Sequence, residues 1–600
     1  MVKRHWGLLA TAAVFAAGSA GAQTAQQSDL DKVEQMQRQM QQLQEQMKQV
    51  KVELTEAKRK AAEAKSEIPA AFNGAYGADL KPFPAKAPSI LDKVKLTWGG
   101  YFAADAVWRD HNAVMDTNTA FAAIPYPFSP QYGEHEFRAS ARQSRISLLV
   151  EGPLAPTQKL SGYFEMDFQA AAPTSNYNQS NSWVPRLRQG FFAYDNTDWG
   201  FHFLAGQAWS LVTQTTVDMT PRKENAPITI DGGYIPGFDY TRNWQVRLVK
   251  DVAPWISVGA SVEAPAALVN TQTGAIGNGG TANGWIVNFA NPGNGILNNG
   301  VPDTATTLPA SNFTSDTIPD VIAKIALDPG WGHYEAFGIA RFFSDNVFYC
   351  PAIDITATGT CNITTGTVGS SFPGGSHQKT TLGEGVGGSV LLPVISKYLD
   401  VTASVMYGRG IGRYGASQLS DVYVGADGSL QTITAFHGLV GGILHPWAGL
   451  DIYGYAGIEK EASATWANLA GTGGVSGFGN PNVVNAGCYL TTAGSFAGAT
   501  AFPATTATTN NCAAVNKLVS GATLGFWQDV YKGPMGRVAT GLQWEWIHRE
   551  SFAGYGCVGT SAAAGCTSTI APTVGPALAG LGAVHTDDQM VLATLRWYPF

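Results

Sequence analysis

From Val94 onward, stretches of alternating apolar and polar residues are separated by connections that are in turn very short and long. Asp195-Asn196-Thr197-Asp198, Asp328-Pro329-Gly330 and Lys532-Gly533-Pro534 are of the short kind, whereas 265–318 and 462–519 are of the long kind. A soluble sandwich has no reason to keep that parity. A closed barrel in an outer membrane does, because its turns face the periplasm on one side and its loops face the outside on the other.

The alternation itself says which face meets which solvent. In the first stretch Leu96, Trp98, Phe102 and Trp108 fall on one face, and Lys95, Thr97, Tyr101, Asp105 and Arg109 on the other. Side chains alternate across a strand, so lipid receives the first set and a polar lumen the second. The third stretch repeats this, with Leu160, Phe164, Met166 and Phe168 outward and Ser161, Tyr163, Glu165, Asp167 and Gln169 inward. Carried along the chain, the pattern predicts about sixteen antiparallel strands, an even number as bacterial barrels require. Trp108, Trp199, Trp255, Trp447 and Trp597 lie near strand ends, where interfacial aromatic girdles sit.

Composition agrees. Charged residues make up 14% and mean hydropathy is close to zero, too little charge for a soluble chain of 600 residues. No apolar run reaches the roughly 20 residues of a spanning helix. Lys3 and Arg4, an apolar run from Trp6 to Ala17, and Ala20-Gly21-Ala22 read as a signal peptide over 1–22. Losing its two positive charges takes the formal net charge from −7 to −9, which argues against nucleic acid as a partner.

Three further segments complete the expected layout. Val33, Met36, Met40, Leu43, Met47, Val50 and Leu54 recur at steps of three and four, a heptad seam that predicts an α-helical coiled coil over 23–66, self-associating in the periplasm. Pro69, Pro82, Pro84 and Pro88 make 67–93 an extended linker. The barrel then occupies 94–600. The expected fold class is an all-β transmembrane barrel with an N-terminal coiled-coil extension.

The six cysteines fall as close pairs in long connections: Cys350 with Cys361, Cys488 with Cys512, and Cys557 with Cys566. Local disulfides suit an oxidising compartment. No C-x-x-C and no nearby His completes a metal ligand set, so no metal and no cofactor is expected.

By strand parity Arg145, Arg186, Arg188, Arg247, Arg341, Arg537 and Arg549 point inward, facing the acids Glu165, Asp167, Glu335 and Glu545. Arginine stays charged and can hold a carboxylate through two parallel hydrogen bonds. Fixed charge at a narrow point sets what passes. The expected constriction therefore consists of Arg145, Arg186, Arg188, Arg247, Arg341, Glu165 and Asp167. The competing reading is that these charges neutralise one another and simply hold the wall. No G-x-S-x-G or H-E-x-x-H spacing supports catalysis.

The layout, together with Ala141-Arg142-Gln143-Ser144-Arg145, Gly206-Gln207-Ala208-Trp209-Ser210 and the terminal Phe600, resembles the DcaP-like trimeric porin family. That resemblance implies a homotrimer in the outer-membrane lipid, a channel for small anionic solutes such as dicarboxylates, and a coil within reach of peptidoglycan. The alternative is a barrel-anchored structural tether or surface adhesin with little transport. Two features depart from the family: the long insertions 265–318 and 462–519, and a break of parity at Tyr598 and Phe600 that predicts a bulge near Pro599.

Overall fold

The computed structural model describes residues 94–600 apart from 114, 128, 171–183, 271–284, 289–315, 350–375, 426–428, 468–474, 482–514, 554–582 and 600. Sixteen antiparallel strands, each hydrogen-bonded to the next, form one closed sheet. In chain order they are β1 Lys95–Arg109, β2 Arg145–Ala155, β3 Gln158–Ala170, β4 Val184–Asn196, β5 Phe201–Trp209, β6 Arg242–Ala253, β7 Ile256–Glu263 and β8 Asp320–Leu327. Then follow β9 His333–Tyr349, β10 Ser376–Ile395, β11 Leu399–Arg409, β12 Thr434–Trp447, β13 Leu450–Glu461, β14 Asn516–Gly533, β15 Gly536–Ser551 and β16 His585–Tyr598. Closure is by β16 on β1, from Phe102 opposite Trp597 to Arg109 opposite Met590.

Closure removes every sheet edge, so each backbone group in the hydrocarbon layer finds a partner. The lipid face is apolar as its parity requires: Trp98, Phe102, Phe164, Trp244 and Leu595 are exposed, while Asp105 and Arg109 are buried inside. Exposed Trp199, Trp255, Trp331 and Trp447 sit at the short turns, forming a girdle on that side.

Three expectations are corrected. Among the described residues there is no α-helix, only short 3-10 turns such as Phe121–Ala123 and Gly412–Tyr414. Over the described residues the fold is therefore an all-β barrel, and segment 23–66, on which the expected coiled-coil extension and its reach to peptidoglycan rested, lies outside them. Disulfides are likewise absent from the described residues, and Cys350, Cys361, Cys488, Cys512, Cys557 and Cys566 all fall outside them. The bulge near Pro599 is also absent as far as Tyr598: β15 and β16 stay in register from Glu550 opposite His585 to Arg537 opposite Tyr598. Tyr598 simply takes the lumen side. The turn between β14 and β15 closes on Gly536 at φ +87°, where a Cβ would collide with the Tyr598 carbonyl.

Strand two differs as well. The stretch after β1 is two pieces rather than one strand, Glu136–Ser140 against the outer half of β1, and β2 against its inner half. The gap holds Gln143, which turns inward and donates to the carbonyls of Thr117 (2.9 Å) and Ile230 (3.0 Å). Ser144 Oγ accepts the Ala103 backbone N–H at 3.0 Å, replacing the missing ladder bond.

The lumen is partly filled. The segment between β5 and β6 (210–241) and that between β11 and β12 (410–433) turn into the barrel. Leu211, Val212 and Met219 of the first, with Ile411 and Tyr414 of the second, pack against inward Val249, Ile322, Phe337, Ile339 and Met406. Each such side chain contributes about 1.5–3 kcal/mol on burial, enough to hold a segment that has no strand to pair with.

Candidate functional site

What the inward segments leave free is a cavity of 440 Å³ against the wall formed by β1 to β5 and β13 to β16. Its floor on the segment side is Arg222 to Tyr234; its far side carries Tyr101, Arg145, Tyr163, Glu165, Asp167, Arg188, Arg537, Arg596 and Tyr598.

The charges of β3 and β4 form one network. Arg186 grips Asp167 with both branches, Nε to Oδ1 at 3.0 Å and Nη2 to Oδ2 at 2.7 Å, and Nη2 also donates to Gln169 at 2.9 Å. Arg188 donates Nη1 to the same Asp167 at 2.8 Å and Nε to Glu165 at 2.6 Å. Arg145 stands 3.8 Å from Glu165, its guanidinium 5.4 Å from the centre of the Tyr101 ring. Tyr163 donates its hydroxyl to Glu165 at 2.9 Å. Three guanidinium groups thus share two carboxylates.

A β-bulge builds this cluster. Gln189 faces Glu165 and Leu187 faces Met166, leaving Arg188 as the extra residue of β4. Arg188 and Gln189 are consequently both buried on the lumen side, while Leu187 and Phe192 both meet lipid. Uninterrupted parity from Arg188 would have turned Phe192 inward.

Of the other sequence-designated arginines, Arg537 lines the cavity, paired with Asp529 at 3.1 Å, and the rest stand elsewhere. Arg247 is buried under the start of the inward segment, donating to the Trp209 carbonyl and to Gln245 at 3.0 Å. Arg341 is fully buried, donating to Asp320 (3.1 Å) and Asp421 (2.5 Å), and it ties β8 and β9 to the segment between β11 and β12. Arg549 donates to Asn516 at 2.7 Å and stacks on Tyr126, fastening the segment between β1 and β2. Glu335 pairs with Lys324 and accepts from Thr215 of the inward segment, backbone at 3.0 Å and hydroxyl at 2.7 Å. None of these four lines the cavity.

Arg596 was not singled out in the sequence, yet it lines the cavity. Its guanidinium is sandwiched between the Tyr101 and Trp527 rings, 4.8 Å from each centre, with Nη2 donating to Gln143 at 2.9 Å. Parity alone would have found it, since Trp597 next to it faces lipid. Parity likewise turns Trp527 of β14 inward, whereas Arg222 and Tyr234 carry no comparable signal, because their placement depends on how the inward segment folds.

The inward segment docks backbone to backbone on the opposite wall. Gly237, at φ +85°, lies against Gly438 of β12, and Pro236 against Gly457 of β13; a Cβ on Gly237 or Gly457 would strike a carbonyl oxygen. Glu459 locks the contact by accepting the N–H groups of Gly237 (2.8 Å) and Ser417 (3.0 Å).

Among the described residues no group of three or more His, Cys, Asp or Glu side chains is placed to hold a metal ion. No helix there is long and apolar enough to cross a membrane, a test that does not concern barrels.

No protein-family model matches the chain, and no curated protein matches it. Solved structures do. The outer membrane channel DcaP of Acinetobacter baumannii superposes with a TM-score of 0.50 at 16% identity, over 84% of this chain and 98% of that one. An anion-selective porin from Comamonas acidovorans gives 0.37 at 10% identity, over 84% and 99%. OprB of Pseudomonas putida gives 0.37 at 10%, over 85% and 95%. At 16% identity the first likeness is one of fold: the chain has a sixteen-stranded barrel resembling those of outer-membrane porins.

Proposed function

We propose that this chain is a passive outer-membrane channel for small anionic solutes, dicarboxylates among them, and that it works as a homotrimer. The observation that carries the reading is the cluster of Arg145, Arg186 and Arg188 around Glu165 and Asp167, all of them but Arg186 on the wall of the cavity left free in a partly filled barrel. Its surplus of guanidinium over carboxylate favours anions where the bore is narrow and screening is weak. Arg596, held between aromatic rings beside Asp105 (3.5 Å), adds donors without adding net charge. The chain is a non-enzymatic barrel, similar in fold to porins and lined by ion-paired arginines and tyrosines.

Reconstitution in planar bilayers tests this. A salt gradient should give a reversal potential of anion preference, and added succinate should block the current. A barrel that does not conduct would instead support the tether or adhesin reading. Electrophoresis of unheated against heated samples reports the trimer.

A further inference from the structure

The inward segment carries a hairpin that reaches from the mid-lumen cavity to the short-turn mouth of the barrel. Thr215 bridges Glu224, Thr216 N–H donates to the Lys223 carbonyl at 2.8 Å, and Asn225 N–H to the Gln214 carbonyl at 2.7 Å. Its tip is pinned to the turn between β8 and β9, where Asp218 N–H donates to Asp328 at 3.0 Å. Two of its residues, Asp218 at φ +42° and Arg222 at φ +70°, adopt the left-handed backbone that non-glycine residues rarely take. Such strain persists only where the surroundings impose it, and it clusters at working positions.

Beyond the hairpin lies a second cavity of 640 Å³, walled by the turns after β2, β4 and β6 and by the hairpin itself. Arg222 is the one residue common to the walls of both cavities. The other arginines of the upper wall all have carboxylates: Arg145 and Arg188 have Glu165, Arg537 has Asp529 at 3.1 Å, and Arg596 has Asp105. In the lower cavity Lys159 is paired with Glu151 (3.2 Å) and Lys223 with Asp218, while the exposed Lys95 lines this cavity alone and does not reach the upper one. Arg222 is exposed and has no carboxylate at ion-pair distance among the described residues. Its guanidinium is only steadied, 5.7 Å from the centre of the Tyr163 ring, while the neighbouring Glu224 accepts Arg222's backbone N–H at 3.3 Å.

We propose that Arg222 is the hand-over group of the pore, a separate anion subsite that receives a carboxylate from the Arg145–Arg188 wall and releases it to the mouth at the short turns. A cation already saturated by fixed acids offers a passing anion little. One that is uncompensated and reachable from two compartments offers a site in each. The inference rests on the anion-channel reading above and names a residue that reading does not use.

The test is single-channel recording of the full chain with succinate as probe, added to either compartment. In Arg222→Gln, block from the short-turn side should weaken about tenfold, the value of one charge-assisted hydrogen-bond pair, and block from the long-loop side should change less. Arg222→Lys should keep the anion preference. Arg222→Gly, which suits the left-handed backbone, should reproduce the Gln result and so separate charge loss from a displaced hairpin. A parent channel lacking anion preference overturns the proposed function and this inference together. A parent that shows anion preference and block, beside Gln and Gly variants that match it from both sides, overturns the role of Arg222 alone.

Discussion

Lys324 and Glu335 meet at 2.7 Å on neighbouring strands inside the barrel, with neither side chain reached by solvent. Glu335 also accepts from Thr215 and from Ser389 at 2.7 Å, so one carboxylate clamps the inward segment to the wall. Replacing Lys324 with Met leaves that carboxylate without its countercharge, and breaking a buried pair in this way costs about 3–5 kcal/mol. Thermal denaturation in detergent should show a clear drop in midpoint for Lys324→Met, with much of it restored in the double variant Lys324→Met/Glu335→Gln. Equal losses in both would mean that the ion pair is not what holds the segment.

Arg186 and Arg188 share Asp167 but differ in burial. Arg188 is almost wholly enclosed, whereas about a third of the Arg186 side chain is open. Arg186→Gln should therefore shift the reversal potential toward cations while leaving folding yield unchanged. Arg188→Gln should lower refolding yield as well, because it strips Glu165 and Asp167 of a buried partner. The triple change of Arg145, Arg186 and Arg188 to Ala should remove anion preference altogether; a triple variant that keeps it would make this cluster wall structure.

Gly457 can be tested as a docking surface. Valine there collides with the Pro236 carbonyl and should push the inward segment off β13. Larger, noisier single-channel conductance is the expected result, with the barrel still resistant to heat. Conductance equal to the parent's would show that the segment does not set the bore.

Asp231, buried in the inward segment, accepts the N–H groups of Thr119 (3.0 Å) and Gly233 (2.6 Å) and the Thr119 hydroxyl. Burial pushes its carboxyl above the usual aspartate range. A carboxyl raised in the fold is easiest to keep protonated, so the latch is strongest below the ordinary aspartate range and weakens as pH rises through the raised value. Open-channel noise should accordingly increase as pH rises above the ordinary aspartate range. Asp231→Asn should flatten that rise, and a parent whose noise ignores pH would refute it.

Strand number, wall parity and the inward side of Arg145 and Arg186 were legible because period-two alternation is local and the lipid tolerates no exception. The bulge at Arg188 was not, since one extra residue leaves each half of β4 alternating perfectly well on its own. Nor was the filling of the lumen. Leu211, Val212 and Met219 look in sequence like any apolar loop residues, and inward Ile322, Phe337 and Met406 break the rule that a lumen face is polar. That exception depends on which connection folds back, a long-range choice made by glycines at 237, 438 and 457 that meet only in the closed barrel.

Because the filler is a connection and not a strand, the width of the opening is uncoupled from the circumference of the wall. Sixteen strands fix how the molecule fits its bilayer, and that fit need not change when its permeability does. Substitutions along 210–241 can widen, narrow or recharge the opening with the lipid-facing surface left intact, so the bore can be redrawn without any change to how the barrel sits in its membrane.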